Sequence, residues 1–338
     1  MVRRSWLIRF ISFTVVWLLI QIYGVSKIQA QELVVYSGRA ERLIKPLFDK
    51  FTEKTGIKIK AHYAGSVELY NKLLAEGDRS PADLFITVDA ATLERARIAG
   101  LLEPIKSKEI EENVPSPFRA PDNSWIGLSL RLRVIAYNPQ KVNPEEIKTF
   151  DDLLKPKFKG RIGIRTGSNI YPQSHTAMMI AERGLKETEK FLRALLANVG
   201  DRIYPSDTRI VEAIAKGEID LGIVNHYYVY IWLRDNPKDK PNLSLIFPPK
   251  TAYNVSGIGI LKNSKQKDLA LKLVEFLASP EAQRLVAELN REYPVNPKIP
   301  HHEDMFPRAK LSMSSVTLTQ MGKYLVEAVD LIDRVGYR

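Results

Sequence analysis

Cysteine is absent from all 338 residues, and this excludes disulfides, a lipid-anchored cysteine and a catalytic thiol. Familiar enzyme motifs are missing as well: there is no Gly-x-Ser-x-Gly elbow, no His-Glu-x-x-His motif and no Walker-type glycine loop. The five histidines show no metal-ligand spacing. Lysine and arginine are scattered among acidic residues, whereas nucleic-acid binders concentrate them on one face or segment. We therefore expect a protein that is not an enzyme, does not bind nucleic acid, and depends on an apolar core for its stability.

A long apolar run occurs at the N-terminus, where Arg3, Arg4 and Arg9 precede the stretch from Phe10 to Ile22. This stretch is shorter than the roughly 20 residues that a membrane-spanning helix needs. Basic residues followed by a short apolar run predict a cleaved signal peptide over residues 1–30, with an uncleaved anchor as the alternative. The segment carries four basic residues and no acidic ones, so its removal lowers the formal charge from +11 to +7.

Strands alternate with helices along the rest of the chain, which predicts an α/β fold with parallel strands. The first strand runs from Glu32 to Tyr36, and an amphipathic helix pattern follows it. Two β-rich segments, residues 125–137 and 252–261, flank a second α/β unit, and we interpret them as crossings between two lobes. Further helices are predicted after Ser174, from Gln266 to Leu289 and from Ser315 to Val335, the last wrapping the outside of the molecule.

The predicted organisation has five parts. They are a signal peptide (1–30), the first part of lobe one (31–130), lobe two (131–250), a return to lobe one (251–300) and a C-terminal helical segment (301–338). Ligands of open α/β sheets bind beyond the carboxyl ends of the strands. The two lobes should therefore face each other across a ligand cleft.

Tyrosines follow two of the predicted strands of the second lobe. Tyr227 and Tyr228 come directly after a buried strand ending at Val224, and Tyr171 follows a polar turn after the strand that ends at Arg165. Ordinary packing is the simplest interpretation, but adjacent tyrosines cannot both point into a core from a regular strand. Three phenols in one cleft suit a hard trivalent cation, because phenolate is a hard anionic oxygen donor. Since the metal must displace phenolic protons, binding should weaken in acid.

Several segments of the mature chain carry a family resemblance. They are Val35 to Arg39, Ser80 to Phe85, Thr87 to Ala90, Gly127 to Val134, Arg165 to Tyr171, Ala215 to Asp220, Asn225 to Tyr228, Asn254 to Gly257 and Glu292 to Val295. Together they resemble the bacterial periplasmic ferric-iron-binding proteins, which are iron-uptake members of the type II solute-binding proteins. The resemblance implies a type II periplasmic-binding fold, with two α/β lobes joined by two crossing strands. It also implies a periplasmic monomer that binds Fe3+ as its transported ligand and has an ABC transporter permease of the inner membrane as its partner.

The resemblance further implies that Tyr171, Tyr227 and Tyr228 are the iron ligands. Many family members add a histidine, or a histidine and a fourth tyrosine, just after the first strand, where this chain has Ala40 and Glu41. Two alternatives remain open for the rest of the coordination. Glu41 could supply a carboxylate, or an exogenous carbonate or bicarbonate anion could bind the metal.

Arg39 and Arg131 are the candidates for holding such an anion, because a guanidinium group can bind a planar oxyanion with two hydrogen bonds. A structural salt bridge is the alternative role for each arginine. Hydrogen bonds to the ligands or to the anion are expected from four polar residues: Ser168, Asn169, Asn254 and Asp89.

Two other functions are consistent with the same two-lobed organisation. A solute-binding protein for an organic anion or a sugar would use the tyrosines for stacking. An enzyme related to the porphobilinogen or pyrimidine-precursor transferases would need catalytic cysteine and lysine constellations that the sequence lacks.

Overall fold

The computed structural model describes residues 31–338, so the predicted signal peptide lies outside the described residues. Within residues 31–338, no helix combines the length and the apolar character needed to span a membrane.

The strands form a mixed sheet with the order β2-β1-β3-β10-β5-β8-β6-β7, and in addition β4 pairs with β10 while β9 and β11 pair with β5. Their bounds are β1 Glu32–Ser37, β2 Lys58–Tyr63, β3 Leu84–Thr87, β4 Leu102–Glu103, β5 Ile126–Tyr137, β6 Ile162–Arg165, β7 Ile203–Tyr204, β8 Leu221–Asn225, β9 Ser244–Ile246, β10 Tyr253–Leu261 and β11 Tyr293–Pro294. Strands β1, β2 and β3 are parallel to one another, as are β6, β7 and β8. The α/β prediction is correct.

Helices pack on the sheet and connect its strands. Their bounds are α1 Glu41–Thr55, α2 Ser66–Glu76, α3 Ala90–Ile98, α4 Lys108–Asn113, α5 Ile170–Arg183, α6 Leu185–Val199, α7 Asp207–Ala215, α8 His226–Asp235, α9 Lys267–Ala278, α10 Pro280–Asn290, α11 Leu318–Lys323 and α12 Leu325–Arg334. Short 3-10 turns connect several of them.

Strand β5 links the two halves of the sheet. All twelve of its residues are buried, as a strand covered on both faces should be. Its first part pairs with β10 from Ile126 to Leu132, and its second part pairs with β8 from Arg133 to Tyr137. Both predicted crossing segments are thus strands that pair with each other, and β5 changes its neighbour between Leu132 and Arg133.

Three helix predictions were wrong in detail. Helix α5 begins at Ile170, before Ser174, because Asn169 caps its first turn. The predicted helix from Gln266 to Leu289 is broken at Ser279, since Pro280 starts a new helix at its first position. The C-terminal helix is also two helices, and α11 packs against both α3 and α5 instead of wrapping the outside.

Candidate functional site

The carboxyl ends of β1, β3, β6 and β8 open into one cavity of about 220 Å³, which is room for several water molecules or a small anion. One side of the cavity is formed by the segments after β1 and β3, and the other by the starts of α5 and α8. The residues that line the cavity are Gly38, Arg39, Ala40, Arg42, Leu43, Gly65, Ser66, Val88, Arg131, Arg165, Asn169, Ile170, Tyr171, Tyr227 and Tyr228.

All three predicted tyrosines line this cavity. The hydroxyl oxygens of Tyr171 and Tyr227 lie 3.3 Å apart. The rings of Tyr227 and Tyr228, which both lie in the first turn of α8, are stacked with centroids 4.3 Å apart. Tyr227 is only 1% exposed, and it is among the residues that line the cavity. The structure therefore brings the three phenols together.

Helix starts position these side chains. The side chain of Asn169 caps α5 by accepting a hydrogen bond of 3.0 Å from the backbone N–H of Tyr171. Helix α8 begins immediately after β8, which places its tyrosines at the carboxyl edge of the sheet. The positive end of a helix dipole favours negative charge, so the start of α8 favours the ionised form of the Tyr227 and Tyr228 phenols.

Burial opposes that ionisation as long as no cation is bound. It raises the pKa of Tyr227 well above 10, and the neighbouring Tyr171 and Tyr228 raise it further, while Arg131 acts in the opposite direction. Burial also raises the pKa of Tyr228, against the lowering effect of Arg165. These two hydroxyls are therefore neutral near pH 7, and a metal that binds their oxygens must displace the protons.

Guanidinium groups surround the phenols. The Cζ atoms of Arg131 and Arg165 lie 5.5 Å and 4.9 Å from the ring centroid of Tyr171. Buried nitrogens of both side chains, Nε and Nη2 of Arg131 and Nε and Nη1 of Arg165, have no hydrogen-bond partner. Arg39 and Arg42 also line the cavity, whereas none of the described residues lining it is acidic. The cavity therefore has an excess of positive charge and unused hydrogen-bond donors.

The two predicted anion-binding arginines differ in their environment. Arg39 forms a buried two-bond salt bridge with Glu292, at 3.2 Å and 2.5 Å, and Ser129 donates to the same carboxylate. Burial alone would raise the pKa of Glu292, but Arg39 and Arg131 lower it overall. The salt bridge with Glu292 thus occupies both Nη atoms of Arg39. Arg131 is therefore the better placed of the two arginines to bind an anion.

None of the remaining predicted residues is among those that line the cavity. Glu41 is exposed at the start of α1 and does not line the cavity. Ser168 is also exposed, and its hydroxyl pairs with that of Thr166. The side chain of Asn254 accepts a hydrogen bond from the backbone N–H of Ala90. Asp89 is fully buried and caps α3, so these two residues organise the start of that helix.

Two residues of this environment were not predicted. Arg165 is the last residue of β6. It could have been identified in the sequence as a basic residue directly before a polar, glycine-containing turn. Glu292 belongs to one of the segments that carry the family resemblance, but its contact with Arg39 was not predicted. Its pairing with Arg39, across 253 positions, has no local signal.

Comparisons with known proteins give a consistent result. The family model of the bacterial extracellular solute-binding proteins matches residues 37–284. Iron uptake protein A1 of Synechocystis is 36% identical over 318 residues, covering 92% of this chain and 88% of that protein. A Trichodesmium structure in complex with iron and citrate is 37% identical, with a TM-score of 0.82, and covers 91% of this chain and 100% of that chain. The ferric binding protein from Campylobacter jejuni is 33% identical, with a TM-score of 0.85, and the corresponding coverages are 90% and 100%.

Proposed function

Because the chain belongs to the bacterial extracellular solute-binding proteins, we propose that it captures ferric iron in the periplasm and delivers it to an ABC-type importer. The relatives confirm the predicted type II fold and the resemblance to ferric-iron-binding proteins. They are substrate-binding proteins and not enzymes, so the transferase alternative is dropped. For this chain we further propose which residues bind the iron, that an anion completes the site, and that the iron is delivered to the importer.

The proposed ligands are the phenolate oxygens of Tyr171, Tyr227 and Tyr228. This ligand assignment is supported by the short distance of 3.3 Å between the hydroxyl oxygens of Tyr171 and Tyr227, which line the same cavity. Around an octahedral ion with oxygen ligands about 2.0–2.1 Å away, neighbouring oxygens lie about 3 Å apart. A small contraction of the observed geometry would therefore let one ion bind both oxygens, with Tyr228 beside them.

An exogenous anion is proposed to complete the site. Three phenolates would neutralise the charge of Fe3+, and the buried Nε and Nη2 atoms of Arg131 would still lack hydrogen-bond partners. An oxyanion that binds the metal would accept hydrogen bonds from these nitrogens and complete the coordination. Carbonate or bicarbonate fits these requirements, and a small carboxylate such as citrate has the same donor chemistry. Glu41 stays a predicted ligand, but its exposed position gives it the weakest support.

Capture is proposed to close the two lobes over the iron. Residues 31–130 and 251–300 would form lobe one, and residues 131–250 would form lobe two, with β5 and β10 as the hinge. Lobe two carries the three tyrosines, and lobe one contributes Arg39 from the end of β1. A rigid-body closure of this kind gives the membrane permease a surface that differs between the loaded and the empty protein.

An organic anion as the transported ligand is the second candidate. The observation that favours it is the cavity itself, which four arginines line and no described acidic residue enters. In that case the tyrosines would stack on or hydrogen-bond to the anion, and no metal would be needed.

Titration of the metal-free protein with ferric nitrilotriacetate separates the two candidates. The iron proposal predicts a visible phenolate-to-ferric charge-transfer band that saturates at one iron per protein. Tyr227→Phe should abolish or strongly weaken this band, because the variant removes a central ligand oxygen. Tyr204→Phe is the matched control, since Tyr204 lies on β7 and does not line the cavity. Absence of the band in the wild-type protein, together with tight binding of citrate alone, would favour the organic anion.

A further inference from the structure

One edge of β5 is interrupted at the point where the strand changes its neighbours. On this edge β11 pairs with Ser129 and Leu130, while β8 pairs with the residues from Arg133 onward. The backbone N–H of Leu132 lies between these two ladders. It donates a hydrogen bond of 3.2 Å to Nδ1 of His226 instead of to a strand carbonyl. A side chain therefore takes the place of a missing strand at the centre of β5.

The second nitrogen of this imidazole makes an equally specific contact. A neutral imidazole whose Nδ1 accepts a hydrogen bond carries its proton on Nε2. The Nε2 atom lies 3.0 Å from the carbonyl oxygen of Arg291, to which it donates. His226 is fully buried, and its ring centroid lies 4.9 Å from that of Tyr293 in β11. Both polar atoms of the side chain are thus satisfied by backbone groups, and the tautomer is fixed.

These contacts connect the two sides of the cavity. His226 is the first residue of α8 and directly precedes Tyr227 and Tyr228. Leu132 follows Arg131, and Arg291 precedes Glu292, which holds Arg39. The ring is therefore linked on one side to the tyrosine pair and on the other to the backbone next to Arg131 and next to Glu292, the partner of Arg39.

We propose that His226 is a positioning residue for iron binding, which fixes the tyrosine pair against β5 by replacing the missing strand at the hinge. This inference rests on the proposed function, because it assigns His226 a role in holding the iron ligands. A buried N–H that loses its acceptor keeps the cost of its desolvation without the hydrogen bond that compensates it. Without the Nδ1 contact, the geometry in which Tyr227 and Tyr228 meet Tyr171 should therefore be less populated.

Three substitutions separate the two contacts. His226→Asn keeps a polar amide near the Nδ1 position, His226→Gln places one near Nε2, and His226→Leu removes both. We expect His226→Leu to lose iron to a competing chelator about tenfold faster than the wild type, as one lost hydrogen bond of this kind would produce. His226→Asn should recover most of the wild-type rate. The wavelength of the charge-transfer band should stay constant in all three, because the ligand atoms are untouched.

The control is His62→Leu on β2, at the far edge of the sheet from β5, which should release iron at the wild-type rate. A wild-type release rate in His226→Leu would overturn the proposal. If that variant does not fold, the release rates of His226→Asn and His226→Gln are compared instead. Only His226→Asn keeps an acceptor for the Leu132 N–H, so equal release rates would contradict the role of this contact. If the wild-type protein shows no phenolate band, the proposed function itself has failed. A normal band with unchanged release in the variants refutes only the role of His226.

Discussion

At the proposed iron site, single residues would set the strength of binding through the balance between burial and nearby positive charge. Burial raises the pKa of Tyr227 and of Tyr228, which keeps their protons in place without metal. Arg131 lowers the pKa of Tyr227, because its positive charge stabilises the phenolate. Burial lowers the pKa of the Arg131 guanidinium, but interactions with the nearby phenol groups and with Glu292 raise it overall, so it stays charged at any relevant pH. Arg131 is therefore expected to set the pH range in which iron binds.

Arg131→Gln tests this expectation. Loss of the positive charge should raise the pKa of the Tyr227 phenol further, so that proton displacement becomes harder. Because iron binding releases protons, affinity falls as pH decreases, and the variant should show this fall at higher pH than the wild type. We expect a displacement of about one pH unit or more, the usual effect of one nearby charge. The measurement is a charge-transfer titration over a pH series.

Arg193→Gln is the matched control, since Arg193 is half-exposed on α6 and pairs with Glu189 on its own helix. It should leave the pH midpoint unchanged. An Arg131→Gln profile that coincides with the wild-type profile would show that this guanidinium does not influence the phenols.

The sequence was sufficient to predict that the three phenols lie close together. It was not sufficient to predict which of the two arginines forms a salt bridge. Tyr171, Tyr227 and Tyr228 each follow a recognisable strand, so their meeting at one sheet edge follows from local pattern and α/β geometry. Arg39 is held in a salt bridge with the distant residue Glu292. Such pairing depends on the complete fold, and a local pattern carries no information on it.

Whole elements, chiefly the first turns of α5 and α8, hold the phenols in place. The sequence analysis placed the start of α5 after Ser174, whereas Asn169 was available as an N-cap five positions earlier. The missed cap matters for function, because its side chain bonds the backbone N–H of Tyr171 itself. The ends of α9 and of α11 were missed for a similar reason, since apolar periodicity continued across both breaks.

Asn169→Ala should therefore affect both stability and iron binding. Loss of the cap is expected to cost about 1 kcal/mol of folding free energy. It should also weaken iron binding several-fold, because the first turn that carries Tyr171 loses a fixed point. Urea unfolding and chelator competition measure the two effects separately.

Ser279→Ala provides the comparison, since Ser279 caps α10 through its own side chain and lies outside the cavity lining. This variant should lose similar stability and keep wild-type iron affinity. An equal loss of affinity in both variants would mean that Asn169 acts only through global stability.

At the scale of the whole molecule, the order of strands and helices and the two strands β5 and β10 were predictable, and the packing of the C-terminal segment was not. Alternating strand and helix patterns indicated the α/β fold, and two unusually long β-rich segments indicated β5 and β10. The C-terminal helices looked like an amphipathic surface tail. Instead, α11 contacts α3 and α5, where Gly322 lies so close to Glu94 that a Cβ atom would come within 2.7 Å of its side chain. This contact is possible because residue 322 is glycine, which amphipathic periodicity does not reveal.

The central claim is that three phenol oxygens from one side of the cavity bind a single ferric ion. The most direct measurement is an anomalous difference map, collected at the iron absorption edge from crystals grown with ferric iron. The account predicts one strong peak at bonding distance from the hydroxyl oxygens of Tyr171, Tyr227 and Tyr228. A peak at another place on the protein, or an iron position that one of these three oxygens does not reach, would contradict it.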